Sequence, residues 1–431
     1  MRSPISLYVV AFATLIAVAA LDAGGAAAAS RSAGALTPLA TPKQPAMDRI
    51  RDLAFDAAGR HLYAVGAGSR NGQPVVHASL VRNAGTGSLG ALRTGTCSTI
   101  RGATGRGCRT PAQVEISADG RAGYVVGDYH GSAAVAILRR SRNGALAATN
   151  RALRALGKLV RAIALSPNGR QVYVAVDRTV VVLDRDRRGN LTRAKGYERC
   201  HADHRGCPGA RGIVRAGGVA LSRNGRSLYV TSENGVAVFR RSLRTGALRQ
   251  LAGQAGCIAP AASDGCAPGL GVGGSDGPAA IGGKISARRI VVSGDGARVY
   301  AASAAGIAVF ARSAADGSLR QLPGPAGCVS SIAYSGCTPA RALLAVGAIA
   351  LSADSSTLYA TTTASRSLAV LRRTGAGLAQ LAGRDGCANA TGADGCMAVA
   401  GSTRPFAIAV SPDDRHVYAG SYDGALLTFS R

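Results

Sequence analysis

Cysteine, arginine and a few acids are the residues here with chemistry to offer. Ten cysteines fall into five local pairs: Cys97 with Cys108, Cys200 with Cys207, Cys257 with Cys266, Cys328 with Cys337, and Cys387 with Cys396. Two of the surrounding stretches are near-copies, GALRQLAGQAGCIAPAASDGC from Gly246 and GSLRQLPGPAGCVSSIAYSGC from Gly317. Local pairs of this kind read as disulfide staples in an oxidising compartment. One pair bounds CHADHRGC, whose two histidines and aspartate would also serve a zinc or copper ion. The four sister loops carry no histidine, which favours the disulfide reading, and no metal site is expected.

The second set is charged. In three short apolar runs an arginine stands four residues ahead of the last apolar residue: Arg51, Arg161 and Arg288. Arg109, Arg215 and Arg404 lie slightly upstream of three other runs. Guanidiniums gathered from several runs suit a carboxylate or phosphate. Sixteen residues after the arginine position come Asp128, Asp177 and Glu233, with His130 close behind the first. A cation beside an acid, Arg161 with Asp177 or Arg215 with Glu233, is what isomerisation or opening of a lactone needs. The plainer alternatives are that acids at strand ends satisfy turn backbone, and that the arginines point sideways to pair with acids in neighbouring units. The sequence contains no P-loop, GxSxG, HExxH or calcium loop, and no cofactor is implied.

Internal repetition determines how these residues are positioned. One phrase recurs seven times: LAFDAAGRHLYAV, VEISADGRAGYVV, IALSPNGRQVYVA, VALSRNGRSLYVT, VVSGDGARVYAAS, IALSADSSTLYAT and IAVSPDDRHVYAG. Each reads as a hairpin, with Asp or Asn followed by Gly supplying positive backbone angles as at Asp119-Gly120, Asn168-Gly169 and Asn224-Gly225. A third run (GVAVFRR, GIAVFAR, SLAVLRR) and a fourth (ALRQL, SLRQL) follow in most copies. Four strands make an antiparallel sheet that must stack on neighbours, and radial stacking gives an all-β, seven-bladed β-propeller. The last copy stops after its third strand, at ALLTFSR, while GALTPLA (Gly34 to Ala40) precedes the first hairpin and resembles GALRQLAG. The N-terminal run is therefore expected to complete the last blade and leave no open edge. The cysteine pairs fall between a fourth strand and the next first strand, which places the stapled loops around the channel mouth.

The start of the chain reads as an export signal over residues 1–29, with Arg2, an uncharged run from Ser3 to Leu21, and small residues at Ala26 to Ala29. An uncleaved anchor is the alternative, so membrane attachment depends on that segment alone. Residues 30–431 form the propeller and face an extracytoplasmic space. The formal net charge of +28 does not indicate nucleic acid: only four of the 51 basic residues are Lys, and the arginines are scattered through the repeats. A small anion, a polysaccharide or an extracellular protein is the expected partner of a monomer.

The phrases IALSPNGRQVYVA and IAVSPDDRHVYAG resemble the YVTN-type repeats of lactonase-like β-propellers, the group that includes 6-phosphogluconolactonase and the fungal carboxymuconate lactonizing enzyme. The resemblance covers the whole mature chain. It implies a Pro-Arg-His start to one innermost strand and a Glu at the end of the following strand. Arg161 and Arg288 match the Arg without the His, and Glu233 matches the acid, although its own unit has Gly217 where the Arg belongs. Two functions are open: a binding module presenting stapled loops, and a lactonase-type hydrolase or isomerase using Arg161, Arg288, Asp177 and Glu233, with Arg51, Arg215, Arg404, Asp128 and His130 around them.

Overall fold

The computed structural model describes residues 32–39, 47–70, 73–96, 110–129, 132–154, 156–157, 160–194, 210–260, 265–270, 289–304, 306–331, 336–401 and 403–431. The export segment, Arg109, His130, Arg288, Cys97, Cys108, Cys200 and Cys207 lie outside them. The described strands form seven separate sheets, the blades of a β-propeller. Their first strands are Arg49–Phe55, Thr110–Ile116, Val160–Leu165, Gly218–Leu221, Ile290–Val292, Val346–Leu351 and Pro405–Val410. Each touches the first strand of the next blade, and the seventh touches the first, so these strands line the axis of a closed ring.

The N-terminal run closes the ring as expected. Thr37–Pro38 pairs antiparallel with the last strand, Leu426–Ser430, through Thr37 opposite Ser430 and Pro38 opposite Phe429. Leu36, 1% exposed, packs with Val417, Leu427 and Phe429 in the core between blades 6 and 7.

Seven tyrosines, one per hairpin, are fully buried between blades. Tyr63, Tyr124, Tyr173, Tyr229 and Tyr418 each donate to a glycine carbonyl in the turn between third and fourth strands of the next blade (Gly144, Gly189, Gly246, Gly317 and Gly87). Tyr359 donates to Gly34 of the N-terminal run, which thereby takes the place of blade 7's own turn. The first five hydroxyls also receive an arginine Nε from the end of that next blade's third strand, Arg140, Arg185, Arg241, Arg312 and Arg82; Arg431 stands in the same place beside Tyr359, but its Nε has no hydrogen-bond partner. The guanidinium continues to an aspartate in the tyrosine's own blade, as in Arg82–Asp413, Arg140–Asp56, Arg185–Asp119 and Arg431–Asp354. In the seams closed by Arg82, Arg140 and Arg185 the buried hydroxyl is bonded on both sides and the cation meets a carboxylate, so the polar groups of an otherwise apolar seam find partners there. These arginines are therefore blade-to-blade latches, a different set from Arg51, Arg161, Arg288, Arg109, Arg215 and Arg404.

Tyr300 departs from the pattern, its hydroxyl having no hydrogen-bond partner. In blade 6, Arg373 and Leu378 face each other across the turn, whereas blade 5 spans Arg312 to Leu319, so the shorter turn presents no carbonyl to Tyr300. Arg373 still reaches Asp295 at 2.7 Å.

The hairpin turns use their Asp-Gly pairs differently from the two-residue turn expected. Only the glycine is left-handed, as at Gly120 (φ 66°), while Asp119 accepts from Ser117 Oγ and the Arg121 amide and binds Arg185.

Four sheets have four strands, and blades 4, 5 and 6 have six. There the fourth strand breaks at a 3-10 turn, Gly253–Gly256 in blade 4, and resumes at Cys257–Ala259 against the start of the same third strand, Val236 opposite Ile258. Ala267–Pro268 then adds outside it in parallel. Disulfides join Cys257 to Cys266, Cys328 to Cys337 and Cys387 to Cys396, with Cα separations of 4.8, 4.8 and 4.7 Å. These bridges are compatible with an extracytoplasmic location. Among the described residues no helix is long and apolar enough to cross a membrane.

Candidate functional site

Two arginines occupy β-bulges at the start of innermost strands. The ladder of blade 1 shifts register between Ile50 and Asp52, and that of blade 3 between Val160 and Ala162, leaving Arg51 and Arg161 as the extra residues. A bulge frees its residue from the ladder and re-aims the side chain. The same register place holds Ala112, Gly347 and Phe406 in blades 2, 6 and 7, so the arginines are not a requirement of the fold. The Nε atoms of Arg51 and Arg161 are buried and have no hydrogen-bond partner.

Arg161 lies within electrostatic reach of three other candidates. Burial pushes its guanidinium below the usual arginine range; the Glu233 carboxylate opposes that, and Arg215 and Arg51 add to it. Arg215, left-handed at φ 51°, donates from Nη1 to both oxygens of Glu233 at 3.1 and 3.3 Å. The Glu233 amide bonds the Val214 carbonyl, which ties the acid to the incoming connection of its own blade. The charges of Arg51, Arg215 and Glu233 on blades 1 and 4 thus act on Arg161 of blade 3, and the one direct contact among the four is Arg215 with Glu233. Asp177, left-handed at φ 45°, holds the Ala216 amide through its carbonyl at 2.7 Å. Arg404 is exposed and its carbonyl accepts from the Tyr422 amide. Asp128 is placed on the second strand of blade 2, opposite Thr110.

A deeper layer went unnoticed in the sequence. Asp52, 4% exposed, takes Arg289 Nη2 on one oxygen at 2.5 Å and the Val114 amide of blade 2 on the other at 2.9 Å. Arg289 adjoins the first strand of blade 5, so this ion pair joins blades that are not neighbours and crosses the axis. Burial raises the Asp52 carboxyl above its ordinary value despite Arg289 and the amide. Glu115 is hemmed in by protein yet keeps partial access to water, as a group on a channel wall does. Burial, with the Asp52 charge adding and Arg289 opposing, pushes its carboxyl up to about 8. The signal was available: opposite the hairpin tyrosine, the other six blades carry Ala54, Ala164, Ala220, Val291, Ala350 and Ala409, and only blade 2 has an acid.

The stapled loops of blades 4, 5 and 6 do not crowd the mouth. Their first cysteines lie beside the third strand, opposite Ala237, Ala308 and Ala369, three strands out from the axis. The chain turns back along its own blade before crossing to the next, which moves the staple to the outer rim. Gln250, Gln321 and Gln380 anchor it: each side-chain amide bonds the preceding connection (Arg211, Leu270, Arg341) and the last carbonyl of the 3-10 turn (Gly256, Gly327, Gly386). The repeated LRQL stretches therefore serve structure. Among the described residues no cluster of three potential metal ligands occurs, and CHADHRGC lies outside them.

No family model and no curated protein matches the chain. Solved structures do match. A candidate 6-phosphogluconolactonase from Bacteroides fragilis is 17% identical over 88% of this chain and 91% of that one, with a TM-score of 0.58. The periplasmic gluconolactonase of Pseudomonas aeruginosa is 18% identical over 86% and 91%, at 0.57. A candidate 6-phosphogluconolactonase from Bacteroides uniformis is 17% identical over 79% and 84%, at 0.53. At these identities the likeness speaks for the fold, and this chain shares the β-propeller fold of these lactonase-named structures.

Proposed function

We propose that the protein is an exported propeller that binds a small organic anion, carrying a carboxylate or phosphate, at the channel mouth. The observation that carries this reading is the pair of buried, unpartnered Nε donors of Arg51 and Arg161. An unmet buried donor costs about 1–3 kcal/mol, and a bound oxyanion supplies the acceptor. Arg161 is repelled by Arg215 and Arg51 and attracted by Glu233, which already binds Arg215, so a ligand anion relieves the remaining repulsion. Titration calorimetry with sugar acids and sugar phosphates tests it. Binding that Arg161→Gln weakens by about 2 kcal/mol, the scale of a charge-assisted hydrogen bond, supports the site; equal binding by the variant removes it.

A second reading uses the same residues as a lactonase. Glu233 accepts a proton from a water attacking the lactone carbonyl, while Arg161 and Arg215 face the negative charge that develops on oxygen. The contact of Glu233 with Arg215 and its electrostatic link to Arg161 support this reading, as does the shared fold with a periplasmic gluconolactonase. Turnover of a lactone panel by the native chain, lost in Glu233→Gln with ligand binding retained, establishes catalysis; no turnover by either leaves the binding protein.

A further inference from the structure

The blade-to-blade latch lacks its acid in two successive seams, between blades 3 and 4 and between blades 4 and 5, and a cavity lies at the second. Five latch arginines end on an aspartate: Arg82, Arg140, Arg185, Arg373 and Arg431. Asn168 and Asn224 stand at the turn position that Asp119, Asp295, Asp354 and Asp413 hold in other hairpins. Arg241 therefore bonds only the amide oxygens of Asn168 and Gln171 beside its tyrosine and the Gly225 carbonyl. Arg312 has still less: its Nη2 finds only Ser227 Oγ, at 3.2 Å. Both arginines line one cavity of about 460 Å³ between blades 4 and 5. It is built from the second-strand start, third-strand end and following turn of blade 4, with the corresponding turn of blade 5, and so opens on the face opposite the mouth. Arg226, Arg240 and Arg244, all exposed, complete the wall, and Asp316 is its single acid. Asp316 is already engaged by the Ser318 amide and hydroxyl.

We propose that this cavity is a second anion site, separate from the mouth, that binds a phosphate or sulfate group in the place where other latches carry an aspartate. Five guanidiniums against one carboxylate leave four unbalanced positive charges, more than a lone carboxylate ligand offsets, which favours a dianionic tetrahedral group. The volume falls within the range of small-ligand sites. The exposed Leu243, 44% accessible, and Ala314 and Ala315 offer apolar wall to whatever carries the group.

The test uses the full chain carrying Arg51→Ala and Arg161→Ala, so that the mouth does not contribute and its failure as a site is judged separately. Titration with inorganic phosphate and with glycerol 3-phosphate should give saturable binding, and the tighter of the two tells whether the group arrives free or on an organic carrier. Adding Asn224→Asp supplies the missing latch acid; it should leave the unliganded protein at least as heat-stable and weaken binding at least about tenfold. Arg244→Ala, a surface change, should weaken binding as well. Absence of binding to both probes, or affinity unchanged in both variants, overturns the proposal.

Discussion

A tyrosine hydroxyl between two blades shows how much one residue type carries here. Tyr229 gives its proton to Gly317 and receives Arg312, whereas Tyr300 is bonded to nothing. Tyr229→Phe is expected to lower stability by about 1–2 kcal/mol, because it also deprives a part-buried guanidinium, and Tyr300→Phe to change it by less than about 0.5 kcal/mol. Paired urea melts check the contrast, and equal losses would refute the latch. Glu115 makes a second prediction at this scale. Its folded carboxyl titrates near 8 against an ordinary 4.5. Between those values the folded chain holds the proton that the unfolded chain has released, so stability falls as pH rises through the window. Glu115→Gln should leave stability at pH 4 unchanged and remove that fall by pH 9. Denaturant midpoints across this range report it, and an unaltered slope contradicts it. The latch acid Asp119 has the opposite sign. Its contacts with Ser117 and Arg185 prevail over burial and hold it at about 2, so its contribution is present above about pH 4 and disappears as pH drops towards 2. Asp119→Asn should flatten that acid limb.

At the scale of elements, the strands that the pattern made visible are those whose side chains alternate over one hairpin. Repeated runs around Tyr63 to Tyr418 announced seven sheets, and the resemblance of GALTPLA to GALRQLAG announced the closing strand, because both are local patterns. What escaped was set by turns. A four-residue 3-10 segment such as Gly253–Gly256 leaves no trace in an alternating pattern, yet it sends the chain back along its own third strand and carries Cys257 away from the axis. The Arg289–Asp52 pair escaped for another reason: its partners stand 237 positions apart on non-adjacent blades, so no local period connects them. The closing run offers the cleanest test at this scale. Leu36→Ala removes a side chain 1% exposed and should cost about 2–4 kcal/mol. Deleting residues 34–39 should cost more and expose the edge of blade 7 to self-association, visible in light scattering. A deletion variant as stable as the native chain would mean that the ring closes without it.

For the whole molecule, arginine has two separate uses on one ring. Around the outer seams five arginines are neutralised by five aspartates, and those pairs add nothing to the net charge of +28 and call for no ligand. At the axis Arg51 and Arg161 have buried Nε donors without partners and form no ion pair among the described residues, whereas Arg431, which shares the unmet Nε, is held by Asp354 and Asp414. The proposed export carries its own prediction: all ten cysteines bridged, so that alkylation in denaturant labels none before reduction and ten after. Four labels before reduction would free Cys97, Cys108, Cys200 and Cys207. The difference between latch and mouth can be read in one diffraction experiment, a crystal soaked in bromide and measured at the bromine absorption edge. An anomalous peak within hydrogen-bonding distance of Arg51 or Arg161, with none at the aspartate-filled latches of Arg140 and Arg185, is the result expected of an anion-binding mouth. Bromide at those latches and none at the axis would contradict it.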